Sequence, residues 1–473
     1  MDIVSILSII LICVVYRVFF RNRYQEWFIF IFSILGLFYF QPVSTIRHFD
    51  FWIPSISLLI GTISWFLVSK QSLQKKSNRL AIFSLIILFM LLAFTRFIPG
   101  LNLGRLVSIP SFSNILIFVM ISLISAAGIN AYADKKIFIS TITIVLLAIF
   151  VVLKNEYFSF QASRILRALN DQSIALSFSG EIIWIGYSYF AFRLLHVIFD
   201  VRKRGKMEIG LSDFIGYLFF FPALLAGPIM RVEDYQKQFR TEIEPNDEQL
   251  IVLAFNRIIK GLFQKFILAD LLALISMNAI LVTKISSIVW MWFVVLMFAF
   301  RIYFDFSGYT HIAIGIAEII GISLPENFNQ PLRSPNLTIF WNRWHITLTQ
   351  WFRTYYFNPV TRSLRGKFKN INPKIILAFM QISTMLLIGL WHGISWNFVA
   401  WGLWIGIGLY IQNQFTNWFM RKNPQGNLFR QLGKGSYIIS VITTFTYISL
   451  GWVWFAMPDI ETSLYVFRTL IGL

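Results

Sequence analysis

The chain has 473 residues, of which 57% are hydrophobic and only 13% are charged, and its mean hydropathy is +0.67. A soluble chain of this length needs several polar domain surfaces, and this composition cannot supply them. The formal net charge of +19 does not indicate nucleic-acid binding, because the basic residues follow hydrophobic segments, as in loops that face anionic lipid. The sequence therefore predicts an all-α integral membrane protein in a lipid bilayer.

Apolar runs that are long enough to cross a membrane, which takes roughly 20 residues, fill the first 200 positions. They lie near 3–20, 27–43, 51–69, 80–97, 112–131, 137–153 and 181–199. The C-terminal ends of the odd-numbered runs and the loops after them carry 13 lysines and arginines, and the ends of the even-numbered runs and the loops after them carry 6. Because positive loops stay in the cytoplasm, this asymmetry predicts an external N-terminus and cytoplasmic loops at 70–79 and 200–206.

The sequence from residue 206 onward is less regular. Residues 211–231 are apolar but contain two prolines and two glycines, which predicts a broken or re-entrant segment. Residues 251–270 place basic residues and a glutamine on one face, the pattern of a helix that lies along the cytoplasmic interface. Two further spans are predicted near 268–283 and 288–304.

The C-terminal part combines an amphipathic segment with a hairpin. Residues 337–357 have the period of one helix that lies in or under the membrane and carries His345 on its aromatic face. Residues 375–420 contain no charged residue between two basic flanks and predict a membrane hairpin with its turn at 391–397. The first arm, 375–391, has 17 residues, or about 25 Å of helix, which is shorter than the hydrocarbon core and predicts His392 within the membrane.

A last span is predicted at 436–456. The expected architecture is roughly 10–12 transmembrane helices with re-entrant and interfacial helices. Residues 1–205 form its N-terminal helices, and residues 206–473 form the core that carries both histidines.

Polar residues at membrane depth are costly, so each is a functional candidate. His392, in a glycine-flanked break, is either a general base that takes a proton from a hydroxyl or a packing residue bonded to a helix carbonyl. His345 is either a core histidine among tryptophans or a group that orients substrate. Asp305 is either a proton relay or, as favoured, the ion-pair partner of Arg301. The five histidines are not closely spaced and there is one cysteine, so no metal site is predicted.

Several blocks of this sequence resemble membrane-bound O-acyltransferases, especially the bacterial branch of alginate O-acetyltransferases and teichoic acid D-alanyl transfer proteins. The resemblance covers about 205–470. Its blocks are Phe221-Pro222, Ala226-Gly227-Pro228-Ile229 with Arg231, Lys260-Gly261-Leu262-Phe263 to Ala269-Asp270, Tyr303-Phe304-Asp305-Phe306-Ser307-Gly308-Tyr309, Leu324-Pro325-Glu326-Asn327-Phe328-Asn329, Phe340-Trp341-Asn342-Arg343-Trp344-His345 and Gly389-Leu390-Trp391-His392-Gly393. The chain departs from the family at His311, where an aspartate is usual.

The resemblance implies transfer of an acyl group, in the first instance acetyl, from a cytoplasmic thioester to a hydroxyl outside, with no bound cofactor. The donor is acetyl-CoA or an acyl-carrier thioester, and the acceptor is a glycan or other envelope polymer. His392 is implied to be the general base and His345 its partner. Transfer across the membrane implies that the helices surround a central tunnel. The candidates for lining this tunnel or positioning substrate are Trp391, Asn397, Asn342, Arg343, Trp344, Asp305 and Tyr309. The resemblance also implies a multi-pass protein of the bacterial inner membrane that works with an extracytoplasmic acyltransferase partner.

A transporter or flippase that moves an acyl or glycan carrier without chemistry is the alternative. It also uses broken helices at mid-membrane, but it predicts paired inverted halves, which this sequence does not show. Covalent acylation of an acceptor by a labelled donor distinguishes the two.

Overall fold

The computed structural model describes residues 3–20, 24–95, 109–132, 135–238, 248–422 and 427–473. Within these ranges the chain is helical and contains no strand. Seven helical stretches there are long and apolar enough to cross a membrane: Ile3–Phe20, Phe49–Val68, Ile137–Lys154, Gln249–Val282, Ile288–Ile319, Pro373–His392 and Gly435–Ala456. Shorter apolar helices lie at Gln25–Tyr39, Phe112–Ser125 and Leu211–Ala223. The predicted class, an all-α integral membrane protein, is confirmed.

The predicted total of 10–12 spans requires some of these shorter helices to cross as well. Four arginines that contribute to the charge asymmetry lie outside the described residues: Arg21, Arg23, Arg96 and Arg105. The direction in which the chain crosses the membrane stays a prediction.

The contacts divide the chain into two compact units, of which the first comprises residues 1–254 and 313–324. Its helices are α1 (Ile3–Phe20), α2 (Gln25–Tyr39), α3 (Phe49–Val68), α4 (Lys76–Thr95), α5 (Phe112–Tyr132), α6 (Lys135–Lys154), α7 (Glu156–Leu169), α8 (Tyr187–Arg204), α9 (Leu211–Leu218) and α10 (Val232–Gln238). The sequence reasoning missed α7. Its start is marked by Asn155, whose side chain accepts a hydrogen bond from the Phe158 N–H.

The predicted break in residues 211–231 is confirmed. Helix α9 ends at Leu218, and a short 3-10 turn, Phe221–Ala223, follows with Pro222 inside it. The carbonyls at these helix ends lack intrahelical partners. The buried guanidinium of Arg193 on α8 donates to the carbonyls of Leu218 at 3.0 Å and Ala223 at 2.7 Å. Arg193 thereby stabilises the irregular backbone that the proline imposes.

The second unit comprises residues 255–312 and 325–473. The helices in this part of the chain are α11 (Glu248–Phe263), α12 (Asp270–Ile275), α13 (Ala279–Val282), α14 (Ile288–Ile319), α15 (Leu337–Arg343), α16 (Ile346–Phe352), α17 (Asn358–Lys367), α18 (Pro373–His392), α19 (Trp396–Lys422), α20 (Asn427–Ala456) and α21 (Ile460–Leu470). A π-helical segment, Gln264–Ala269, joins α11 to α12. Helix α14 continues past the predicted end at position 304, because the polar residues that follow find partners within the unit.

The interfacial helix predicted at 251–270 differs from the structure. It belongs to the stretch Gln249–Val282, which is long and apolar enough to span and is interrupted at 276–278. Two of its polar side chains bond to α14: Gln264 accepts from Ser307, and Lys265 donates to Asp305. Arg257 pairs with Glu326 instead, and Lys260 is exposed. Gly261 and Gly308 let the two helices touch, since a Cβ on Gly261 would lie 2.6 Å from the Gly308 carbonyl oxygen.

Helices α18 and α19 form the predicted hairpin, with a turn at 393–395. Gly402 and Gly406 allow their close packing, because a Cβ at either position would lie 2.7 Å from a Cα atom of α18. The short-arm argument is wrong. Asn372 caps α18 by accepting the Lys374 N–H, so the arm begins at Pro373 and has 20 residues, or about 30 Å. The depth of His392 therefore does not follow from the length of the arm.

The single amphipathic helix predicted at 337–357 is also wrong. Helix α15 ends at Arg343, α16 begins at Ile346, and a π-helical segment, Arg353–Phe357, leads into α17. The break occurs because His345 has left-handed backbone angles, φ 42° and ψ 54°, which no residue inside an α-helix adopts. Helical periodicity in the side chains does not reveal such a break.

Candidate active site

His345 occupies the break between α15 and α16, outside the seven candidate spans. Its side chain is buried, with 3% of the residue exposed, and its ring contacts Phe306 edge-on at a centroid distance of 4.7 Å. Neither ring nitrogen has a hydrogen-bond partner in another described residue. Burial lowers the pKa of His345 to about 3, so the imidazole is neutral near pH 7. A neutral imidazole can donate one hydrogen bond and accept another.

His392 is the last residue of α18 and is half-buried in an aromatic surround. The centroid of its ring lies 4.4 Å from that of Trp391, 4.8 Å from Phe455 and 5.8 Å from Trp401. Phe398 stacks at 6.1 Å with an interplanar angle of 22°. These rings come from α18 and α19 of the hairpin and from α20. They surround the imidazole with apolar groups, while part of the residue stays exposed.

Trp391 contacts both histidines. Its ring centroid lies 6.1 Å from that of His345 and 4.4 Å from that of His392. The separation of the two imidazole centroids therefore cannot exceed the sum of these two distances. The two rings are therefore neighbours, although they belong to different parts of the chain. Of the predicted residues, the structure brings His345, Trp391 and His392 into one cluster.

Trp344 and Asn397 are buried near this cluster. Trp344 stacks on Phe340 at 5.5 Å and packs against Trp452 at 5.3 Å. The amide of Asn397 donates to the Met457 carbonyl at 2.7 Å, which ties the start of α19 to the end of α20. Both side chains support the walls of the cluster.

The side chains of Asp305 and Asn342 form polar contacts outside this cluster, and Arg343 contributes a main-chain contact. Asp305 forms an ion pair with Lys265 at 2.5 Å, so the favoured pairing with Arg301 is wrong. Asn342 is exposed and accepts a hydrogen bond from Arg353 at 2.7 Å. The main-chain carbonyl of Arg343 accepts the Asn329 N–H at 3.0 Å. Each of these bonds joins two parts of the protein chain and lies outside the histidine cluster.

Tyr309 is half-buried on α14, three residues after Phe306. This spacing puts the two side chains on one side of the helix, and Phe306 contacts His345. Phe306, Phe455 and Trp401 are members of the cluster that sequence reasoning missed. Their only signal was the general abundance of aromatic residues, which does not say which rings meet.

A cavity of about 150 Å³ lies within the second unit, next to α15, α16 and α18. Its lining includes Trp341, Phe352, Arg353, Gln381, Met385 and Ile388. Ile388 lies one helical turn before His392, and the Trp341 ring contacts that of Trp401 at 5.8 Å. Trp341 Nε1 and Gln381 Oε1 are buried without a hydrogen-bond partner among the described residues. Trp341 lines this cavity, whereas Trp344 packs in the core and Trp351 contacts Phe352 and Tyr355.

A second titratable cluster lies in the first unit. His196 Nε2 is 3.4 Å from Asp200 Oδ2 and 3.6 Å from Glu233 Oε2, and in the described ranges only these three residues are spaced to hold a metal ion. Arg231 already pairs with Asp200 at 2.7 Å and with Glu233 at 3.7 Å. Burial raises the pKa of Asp200, but His196 and Arg231 outweigh it and hold that pKa below its usual range. The guanidinium supplies the positive charge, so we assign an ion-pair clasp to these four residues.

The fold and the histidine cluster define a multi-pass membrane protein with two imidazoles that contact one tryptophan ring. The family model described as "MBOAT, membrane-bound O-acyltransferase family" matches residues 129–453, more than half of the chain. The chain belongs to this family. The match begins well before the motifs that carried the resemblance, so part of the N-terminal helices belongs to it too.

Three curated relatives have names that describe envelope chemistry. The chain is 34% identical over 273 residues to the peptidoglycan O-acetyltransferase of Helicobacter pylori, covering 56% of this chain and 48% of the relative. It is 32% identical to a probable alginate O-acetylase of Azotobacter vinelandii, covering 59% and 52%. It is 31% identical to the teichoic acid D-alanyltransferase of Streptococcus thermophilus, covering 58% and 68%. The match thus spans about half the length of the first two.

Proposed function

We propose that this protein transfers an acyl group, in the first instance acetyl, from a cytoplasmic thioester to a hydroxyl of an extracytoplasmic glycan or envelope polymer. The observation that carries the proposal is the pair of imidazoles that both contact the ring of Trp391. Family membership and the polymer acceptors in the names of the relatives support the same chemistry.

His392 is the general base in this proposal. It takes the proton of the acceptor hydroxyl as the oxygen attacks the thioester carbonyl carbon. A C–O bond forms, the C–S bond breaks, and the imidazolium returns the proton to the leaving thiolate. The aromatic surround of His392 supports this role, because apolar rings beside the base limit the approach of water and so favour transfer to the acceptor over hydrolysis.

His345 is the partner residue. Because burial keeps it neutral, it can donate an N–H to the thioester carbonyl and stabilise the oxyanion that develops there. Both of its nitrogens lack a partner in another described residue, which supports a role that substrate completes. Since a single tryptophan ring touches both imidazoles, one thioester can reach between them.

The donor is acetyl-CoA or an acyl-carrier thioester that enters from the cytoplasm through the cavity beside Trp341. The unpartnered Trp341 N–H and Gln381 carbonyl suit an amide-bearing arm, which needs one donor and one acceptor. The basic residues of the loops predicted to be cytoplasmic favour a donor that carries phosphate. We place the protein in a bacterial inner membrane, where an extracytoplasmic acyltransferase could relay the group to the polymer.

The proposal is tested with purified protein in lipid nanodiscs. Labelled acetyl-CoA and a labelled acyl-carrier thioester are supplied separately, with a de-O-acetylated envelope polysaccharide as acceptor. We expect alkali-labile label in the polysaccharide with one of the donors. His48→Gln, a substitution in the first unit, is the matched control and should retain activity. Movement of a carrier across the membrane without covalent product would favour the flippase instead.

A further inference from the structure

Asn327 makes the contacts that determine how α16 begins. It is fully buried, and it lies in the connection between α14 and α15. Its main-chain carbonyl accepts the Ile346 N–H at 3.0 Å. Its side-chain oxygen accepts the Thr347 hydroxyl at 2.6 Å and the Thr347 N–H at 3.3 Å. The first two N–H groups of α16, which have no partner inside the helix, are therefore both bonded to Asn327.

His345 stands at the position where a capping side chain is usual, yet it makes no capping hydrogen bond. Asn327, from another part of the chain, accepts hydrogen bonds from the first N–H groups of α16. The imidazole of His345 therefore does not need to cap the helix. The ring instead contacts Phe306 and Trp391. Since Asn327 caps the helix, both imidazole nitrogens of His345 are left without a partner in another described residue.

The left-handed backbone of His345 needs support from both sides, because a non-glycine residue holds it only where the surroundings leave no alternative. Two bonds provide this support. The Ile346 N–H donates to the Asn327 carbonyl, and the Asn329 N–H donates to the Arg343 carbonyl, each at 3.0 Å. Residues 327–329 thus run alongside 343–346, and His345 lies between the two hydrogen bonds that join these segments.

We propose that Asn327 is a positioning residue: it caps α16 in place of His345 and so holds the His345 imidazole free and aimed for the reaction. The inference rests on the proposed function, in which His345 acts on the thioester. Asn327 acts through His345 and does not itself touch the reacting atoms.

The test compares two asparagines that cap consecutive helices. Asn336 caps α15 by accepting the Ile339 N–H at 2.8 Å, so Asn336→Ala removes the same kind of bond one helix earlier. We expect Asn327→Ala to lower kcat by roughly 10- to 100-fold, with KM for the donor changed less than about 3-fold, because the reacting group is misplaced. Asn336→Ala should keep kcat within about 3-fold at a similar loss of melting temperature. Equal kcat in the two variants overturns the inference.

Two further variants keep the test informative if Asn327→Ala folds poorly. Asn327→Asp retains an acceptor oxygen at the same place and should recover at least about tenfold of the lost kcat. Thr347→Val removes the hydroxyl that bonds to Asn327, and its effect should be non-additive with that of Asn327→Ala. Failure of Asn327→Asp to recover kcat, or full additivity, contradicts capping as the mechanism.

Hydrogen exchange separates this inference from the proposed function. The peptide that contains Ile346 and Thr347 should exchange faster in Asn327→Ala than in the wild type and Asn336→Ala. If the wild type transfers no acyl group, the proposed function fails. The exchange measurement then still tests whether Asn327 caps α16. Unchanged exchange at these two amides, or faster exchange with unchanged kcat, overturns the inference.

Discussion

Lys265 donates to Asp305 at 2.5 Å, although Arg301 lies only four residues before Asp305 on the same helix. Arg301 is directed to the Ser276 hydroxyl instead, at 3.4 Å. Gln264 and Lys265, the first two residues of the π-helical segment, both bond to α14. The ion pair therefore joins two helices that are distant in sequence, and it stabilises the part of α14 that carries Phe306 next to His345.

The two histidines should differ in the size of their effect on catalysis. His392→Ala should lower the rate of acyl transfer by about 10²- to 10⁴-fold, because it removes the base. His345→Ala should lower it less, since a polarising group is lost but proton transfer remains. Initial rates in nanodiscs, with melting temperature and gel filtration to establish folding, provide the measurement. Wild-type turnover by a folded His392→Ala protein would refute the assignment.

The topology predicted from loop charge can be measured by cysteine labelling of intact cells. Cys13 is buried and is the only native cysteine, so Cys13→Ala gives a clean background. Cysteines at the exposed positions of Lys75 and Arg204 should react with a membrane-impermeant maleimide only after the cells are opened. Leu176→Cys, in a loop predicted to lie outside, is the positive control. Strong labelling at position 75 or 204 in intact cells contradicts the predicted orientation.

Asp213 should make the protein less stable as pH rises. It lies in α9, where burial and then the nearby Glu26 carboxylate raise its pKa to about 7, while Lys75 opposes them. The folded chain therefore binds more protons than the unfolded chain between about pH 4 and 7, so stability is full below this window and falls across it. Asp213→Asn should raise the melting temperature relative to wild type at pH 8 and lose that advantage at pH 4.5. Asp234→Asn, an exposed aspartate on α10, is the control. If the difference in melting temperature between Asp213→Asn and wild type were the same at pH 4.5 and pH 8, the raised pKa of Asp213 would be contradicted.

The ion-pair clasp of His196, Asp200, Arg231 and Glu233 should stabilise the protein without a metal. Arg231→Met should lower stability by roughly 1–2 kcal/mol, because it leaves the carboxylates of Asp200 and Glu233 with less compensating charge. The effect is smaller than for a fully buried pair, since the Arg231 side chain is 43% exposed. Arg204→Met should have a smaller effect, since its pairing with Glu233 is more exposed. Treatment with EDTA should leave the wild-type melting temperature unchanged. Stoichiometric zinc by mass spectrometry, with destabilisation by chelator, would overturn the clasp.

Local sequence was sufficient for features that depend on the composition of a continuous stretch. The hairpin of α18 and α19 follows from the uncharged stretch 375–420 between basic flanks, and the break at Pro222 follows from a residue that cannot continue a helix. The same reasoning identified both histidines, since a polar residue in an apolar segment is conspicuous wherever it lies in space. The lengths of the arms were less well determined, because Asn372 and Pro373 extend α18 by a cap.

Tertiary structure alone decided which groups meet. The break at His345 is invisible to periodicity, because its left-handed backbone depends on bonds from Asn327 and Asn329, which precede α15 in the chain. The partner of Asp305 and most of the rings around His392 come from other helices. A side chain's sequence neighbours determine its helix and its face, but the packing of other helices against that face determines its partners. The sequence thus predicted two histidines in apolar segments. The packing of the helices brings both of them into contact with the ring of Trp391.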